Sequence, residues 1–353
     1  MTGHEQDSHL PTAGETQSDT IYFLRFLLIA AVAFTHSAVS KPQSFENAYS
    51  LFVFIFTSVF ERLPALVLFS GFLFFKSGFS ARIYGKKLKN RIKSLLIPYL
   101  FWNAAVVIYY LLLQFYLLKN GQQPDSKLIS DYTWHDWQMA FWNGPIAKQF
   151  WFIRNLMILM LASPFFYLLI RYLRWFGVLL SAVPWIMGVE VLWGMHTYTF
   201  FFFAVGACMA LKNENFVLRM GPYWGWAGIL FLLTACFRIY RFIRGLPDIP
   251  IIDKIGLCAS VVFIIALTGK LISSGTLKVN VALCKSSFFI FAAHLIPVVL
   301  VKMLLESLLP ATIWSCFVIH FATFTLVLFL CLGVYRLLHR FTPRFLSFIS
   351  GGR

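Results

Sequence analysis

Charge is scarce in this sequence. Only 12% of the 353 residues are Asp, Glu, Lys or Arg, where soluble domains carry about a quarter. Acidic residues are the scarcer kind, 14 against 30 basic ones, which leaves a net charge of +16. The six cysteines, Cys208, Cys236, Cys258, Cys284, Cys316 and Cys331, form no CxxC pair. That excludes a zinc or disulfide framework and leaves them as small core residues. Residues 1–18 are polar but lack the basic start of a signal peptide, so the first apolar segment is expected to remain as a membrane helix. No strong internal repeat is visible.

What fills the chain is apolar. Hydrophobic residues make up 59%, with 40 Phe, 11 Trp and 14 Tyr. A soluble core of this size cannot bury so many, whereas a lipid-facing surface with interfacial aromatics can. The basic residues sit in short gaps between apolar runs, which reads as a topology signal and argues against nucleic acid. About 20 apolar residues cross a bilayer. Ten stretches qualify: 20–40, 48–76, 95–118, 150–172, 174–193, 196–212, 222–243, 252–272, 284–305 and 312–338. The expected architecture is all-α, one polytopic bundle of about ten transmembrane helices, with Pro64 kinking the second. A disordered tail (1–18) precedes the membrane domain (19–345), and a short tail (346–353) follows it. The cluster Lys76, Arg82, Lys86, Lys87, Lys89, Arg91 and Lys93 is expected in the cytoplasm, together with both termini. Loop 119–149 then falls outside and has no helical stripe. Arg238, Arg241 and Arg244 also fall outside, against the rule, and need a reason.

Ionisable residues inside a membrane helix are costly and mark function. The first helix has two, Arg25 and His36. Eleven residues at 100° each return almost to one face, about 16 Å apart along the axis. A histidine suits acyl transfer because it can take a proton from an attacking hydroxyl near neutral pH. The cell's acyl donor is a cytoplasmic thioester that carries phosphates. Arg25, Arg91 and Lys93 are placed to bind those phosphates, with Lys89 in the same run. Arg154, near the outer end of its helix beside Trp151, is a candidate to orient an acceptor or an oxyanion. His294 lies mid-helix, open to second-site chemistry or a core role. Ser70-Gly71 suits close helix packing. Glu61 and Glu190 are alternative carboxylates for orienting His36.

Five segments together resemble the acyltransferase 3 family of integral membrane proteins. They are Phe23-Leu24-Arg25-Phe26 through Phe34-Thr35-His36-Ser37, then Pro64 through Leu73 with its Phe69-Ser70-Gly71, then Lys89 through Ile97-Pro98-Tyr99. Trp151-Phe152-Ile153-Arg154-Asn155-Leu156 and Ser286-Ser287-Phe288-Phe289-Ile290-Phe291-Ala292-Ala293-His294 complete the set, in order over residues 20 to 300. The resemblance implies transfer of an acyl group, usually acetyl, from acetyl-CoA or another short acyl-CoA to a hydroxyl of a sugar or glycan intermediate. It makes His36 the catalytic histidine and Arg25 its partner. Arg154, Trp151 and His294 fall to the acceptor side. Ser94 stands where the family pattern has a second arginine. No soluble hydrolase domain follows, so transfer is expected within the membrane domain. The implied partners are the bilayer, an acyl-CoA and a glycan acceptor, with no metal, and the implied location is the plasma (bacterial inner) membrane. A transporter or flippase of a lipid-linked or polyanionic glycan is the competing reading.

Overall fold

A computed structural model describes residues 10–39, 46–60, 63–124, 126–189 and 194–352, and among them every regular element is helical. Helix α1 (Ala13–His36) starts at a capping box: the Thr12 hydroxyl accepts from the Glu15 N–H and the Glu15 carboxylate from the Thr12 N–H. Residues 13–18, expected in a disordered tail, are therefore helical. The stretch 48–76 is two helices, not one kinked span. These are α2 (Glu46–Phe60) and α3 (Pro64–Phe75), with Pro64 in the first turn of α3, where its missing N–H costs nothing.

Helices α4 (Ala81–Arg91) and α5 (Ile97–Lys119) form one long span, joined by a π turn over Ile92–Leu96. Pro98 cannot donate to the Ser94 carbonyl and would clash with it, and the wider π turn relieves that clash. The loop read as stripe-free folds into short turns around α6 (Trp134–Gln138). Gln114 clamps it, donating to the Lys127 carbonyl and accepting from the Ile129 N–H. Lys127 donates to Asp136 at 2.7 Å and the Thr133 hydroxyl and N–H add to it, which holds that carboxyl below its usual range.

The fourth predicted span is broken. Helices α7 (Trp151–Leu161) and α8 (Ser163–Leu173) meet at 59°, where Pro164 denies the Met160 carbonyl its partner. Helices α9 (Trp175–Ile186) and α10 (Tyr198–Leu211) are short. Helix α11 (Phe216–Met220) runs through a 3₁₀ turn into α12 (Trp224–Ile243), and α13 (Pro250–Ser273) returns. Arg238 pairs with Asp248 at 3.1 Å and Asp253 at 2.8 Å, and Arg241 donates to the Pro247 carbonyl. Those two arginines hold the α12–α13 turn. Helix α14 (Val281–Cys284) leads to α15 (Ser287–Ala293) and α16 (Leu295–Leu308), which bend by 70° at His294. Pro297 imposes that bend by freeing the Ala293 carbonyl. Helix α17 (Ile313–Phe341) is followed by α18 (Pro343–Ser350), which docks by Leu346 and Ile349 and accepts the Trp102 indole N–H at the Ile349 carbonyl. Residues 346–350, expected in a tail, are thus part of the bundle.

Five stretches are long and apolar enough to cross a membrane: Ala13–His36, Ala81–Lys119, Phe216–Ile243, Pro250–Ser273 and Ile313–Phe341. Two bent pairs raise the number to seven, and shorter apolar helices, α3, α9 and α10 among them, complete the bundle. The protein is an all-α polytopic membrane protein. One end, called here the basic end, carries the start of α1 together with Arg91. The other, the capped end, carries the end of α1 and the folded loop.

Helices α3 and α10 approach backbone to backbone. A Cβ on Gly71 would run into the Phe203 carbonyl, and one on Gly206 into the Leu68 carbonyl. Pro64 and Tyr198, at the first turns of the two helices, line one cavity, so the helices run side by side in the same direction. Small residues permit such backbone approach. Gly206→Leu is expected to cost about 3 kcal/mol or more by overpacking. Gly333, which faces open space, serves as the control. Equal yields of monodisperse detergent-extracted protein for Gly206→Leu and Gly333→Leu would show the crossing to be unimportant.

Candidate active site

Helix α1 is unbroken from Arg25 to His36, so the two lie about 16 Å apart along its axis. At the basic end Arg25 and Arg91 line one slot of about 70 Å³, with Ser70 of α3, Met160 of α7 and Ser287, Phe288 and Phe291 of α15. Lys89 and Lys93 are exposed and lie outside that lining. The slot is narrow.

Beyond Phe291 the α15–α16 bend presents His294, which is fully buried. Its Nδ1 lies 3.0 Å from the Ile290 carbonyl and 2.9 Å from that of Phe291. Carbonyls only accept, so Nδ1 carries the proton, and in the neutral ring Nε2 is a bare lone pair. That Nε2 is buried and has no partner. The His36 ring stands beside it, with centroids 5.3 Å apart. The residues expected at the two ends of the sequence pattern are thus neighbours. Lys148 and Lys302 place positive charge within electrostatic reach of His36.

The end of α1 is fixed by groups that sequence reading missed. The Val39 N–H donates to the Tyr49 hydroxyl at 2.9 Å. That hydroxyl meets His320 Nδ1 at 2.8 Å, and His320 Nε2 meets the Phe34 carbonyl at 2.9 Å. Only one tautomer satisfies this chain, with Nε2 donating to Phe34 and Tyr49 donating to Nδ1. Lys302 adds a bond to the Ala38 carbonyl at 3.1 Å. The backbone on both sides of His36 is held in place. His320 is an intramembrane histidine, so the rule that selected His36 and His294 would have selected it too.

Arg154 is 1% exposed and its donors are committed. They reach the carbonyls of Trp142, Asn143 and Gly194 and the Asn155 side chain, which leaves none for a substrate. Its place in the structure is to pin the cap to α7. Beside it lies a chamber of about 520 Å³ lined by Tyr110, Gln114, Tyr132, Lys148, Trp151 and His196. Trp151 and His196, with ring centroids 4.4 Å apart, separate it from a second chamber of about 390 Å³ that includes Thr57, Tyr198 and Asp253. Glu61 and Glu190 fall outside the described residues. Among the described residues no His, Cys, Asp and Glu side chains gather as a metal site.

A family model described as an acyltransferase domain matches residues 19–347. The chain belongs to the acyltransferase 3 family. A curated relative in this comparison, the succinoglycan biosynthesis protein ExoH of Rhizobium meliloti (strain 1021), is 30% identical over 164 residues. That match covers 44% of this chain and 44% of the relative's length. No solved structure matches significantly. Arg25, His36 and His294 all lie within the matched segment.

Proposed function

We propose that the protein carries an acyl group from acyl-CoA at its basic end to a glycan hydroxyl at its capped end, with His36 as general base. The observation that supports this most is the juxtaposition of His36 and the bare Nε2 of His294, on the same helix that places Arg25 in the slot. The basic end is the cytoplasmic one by the positive-inside rule. The diphosphate of acyl-CoA binds Arg25 and Arg91 as a charge-assisted pair. The pantetheine arm follows α1 towards His36, widening the slot at Met160 and Phe288. An acceptor hydroxyl enters from the capped end and attacks the thioester carbonyl as His36 takes its proton. The C–S bond breaks, and the departing thiolate recovers the proton from the imidazolium. Lys148 and Lys302 stabilise the oxyanion that forms between these steps. His294 Nε2 accepts a hydrogen bond from the His36 imidazolium and orients it, a task a carboxylate performs in triads. The relative's name includes succinoglycan biosynthesis, which puts an exported polysaccharide foremost among acceptors and succinyl beside acetyl among acyl groups. The plasma membrane is the location that gives access to both substrates.

The test is acyl-CoA-dependent release of free thiol by purified protein in nanodiscs supplied with cell-surface glycan. Turnover with acetyl-CoA or succinyl-CoA is expected. Arg25→Ala and Arg91→Ala should each raise the KM for acyl-CoA about 10-fold or more. Absence of thiol release alongside glycan movement across the membrane would favour the transporter reading.

A further inference from the structure

The slot at Arg25 and Arg91 has a neighbour that the proposed reaction has not used. A chamber of about 530 Å³ opens at the basic end between the turn 280–286 and α17. Its walls carry Lys285, Arg336 and His339, and no acidic side chain is among its lining residues. Among the described residues, neither Lys285 nor Arg336 forms an ion pair. The turn is rigid: Asn280 accepts from the Leu283 N–H at 3.0 Å, and the Ser286 hydroxyl donates to the Leu283 carbonyl at 2.7 Å. Tyr335 and His339 form an aromatic ledge, with ring centroids 6.1 Å apart and 30° between planes. Leu283 and Leu332 supply apolar wall.

Cations with no ion-pair partner among the described residues, an aromatic ledge and apolar wall together suit a phosphorylated nucleoside. The position narrows the choice. Ser286 lines this chamber and Ser287 lines the slot, so consecutive residues of the chain contribute to the two sites. We propose that this chamber binds the 3′-phosphoadenosine end of acyl-CoA, with Lys285 and Arg336 on the phosphate monoester and the adenine on Tyr335 and His339. The inference rests on the acyl-CoA reading above. Its ligand is one molecule that puts its diphosphate at Arg25 and Arg91 and its nucleoside across the 286–287 peptide. An anionic lipid headgroup presents similar phosphate chemistry but no adenine or 3′-phosphate.

The experiment compares binding of CoA and 3′-dephospho-CoA to the full-length protein in zwitterionic nanodiscs. Wild-type protein is expected to prefer CoA by about 10–100-fold, as two charge-assisted contacts allow. Lys285→Ala and Arg336→Ala should each reduce that preference several-fold, and the double variant should abolish it. Both side chains are exposed, so the variants should fold. Equal binding of the two ligands by wild type would overturn the subsite and leave the acyl-CoA reading intact. So would an undiminished preference in the double variant. Failure of wild type to bind either ligand would overturn both. A chamber that takes anionic lipid would reveal itself if nanodiscs containing phosphatidylglycerol bound CoA less well while the double variant lost that inhibition and kept the 3′-phosphate preference.

Discussion

His36→Ala is expected to abolish acyl transfer while the protein still reaches the membrane at normal abundance. His36 is the last residue of α1, and the hydrogen bonds that fix this end of the helix come from other side chains. The backbone beside it is held by Tyr49, His320 and Lys302, none of which needs the imidazole. General base catalysis contributes about 10²–10⁴-fold, and misplacement of the hydroxyl adds to that. The measurement is the acyl content of cell-surface glycan, with membrane abundance quantified in parallel. Acylation near the wild-type level would remove His36 from the chemistry.

His294→Asn is expected to lower kcat by about 10²-fold and leave the KM for acyl-CoA nearly unchanged. Asparagine can keep a donor near the Ile290 and Phe291 carbonyls, but it removes the Nε2 lone pair beside His36. His294→Gln, which can place an amide oxygen nearer the position of Nε2, should recover part of the rate. A purely packing role for His294 would lower the folded yield of both variants alike and spare the kcat of what folds. An Asn variant with wild-type kcat would refute the orienting role.

The sequence made some of this legible for physical reasons. Helix α1 is uninterrupted, so its period alone put Arg25 and His36 on one face. The basic run pointed to Arg91, but not to its separation from Lys89 and Lys93. Lys89 and Arg91 are two residues apart on α4, about 200° round the helix, and the π turn over Ile92–Leu96 changes the phase only beyond them. Pro164 and Pro297 were visible, yet hydropathy windows run straight through them, and the two bends escaped notice. The bend at His294 matters most, because it turns a residue in the middle of an apolar run into the neighbour of His36. The sequence offers Arg154 to an acceptor or an oxyanion, whereas the structure commits it to backbone carbonyls at 142, 143 and 194, which no side-chain pattern announces.

The crossing of α3 and α10 also bears on how the protein is made. Helix α3 has 12 residues, about 18 Å, too short to cross the ~30 Å hydrocarbon core unaided. Ten of those residues are buried, much of that surface against a helix that begins at Tyr198. During synthesis α3 therefore leaves the ribosome more than a hundred residues before its partner exists. At about 5–20 residues per second that is a wait of several seconds or longer. An orphaned segment of that length must be sheltered meanwhile, by the translocation machinery or by α1. Truncated nascent chains ending before residue 198 should be the forms that quality-control proteases remove, and chains extended past 211 the first to resist them.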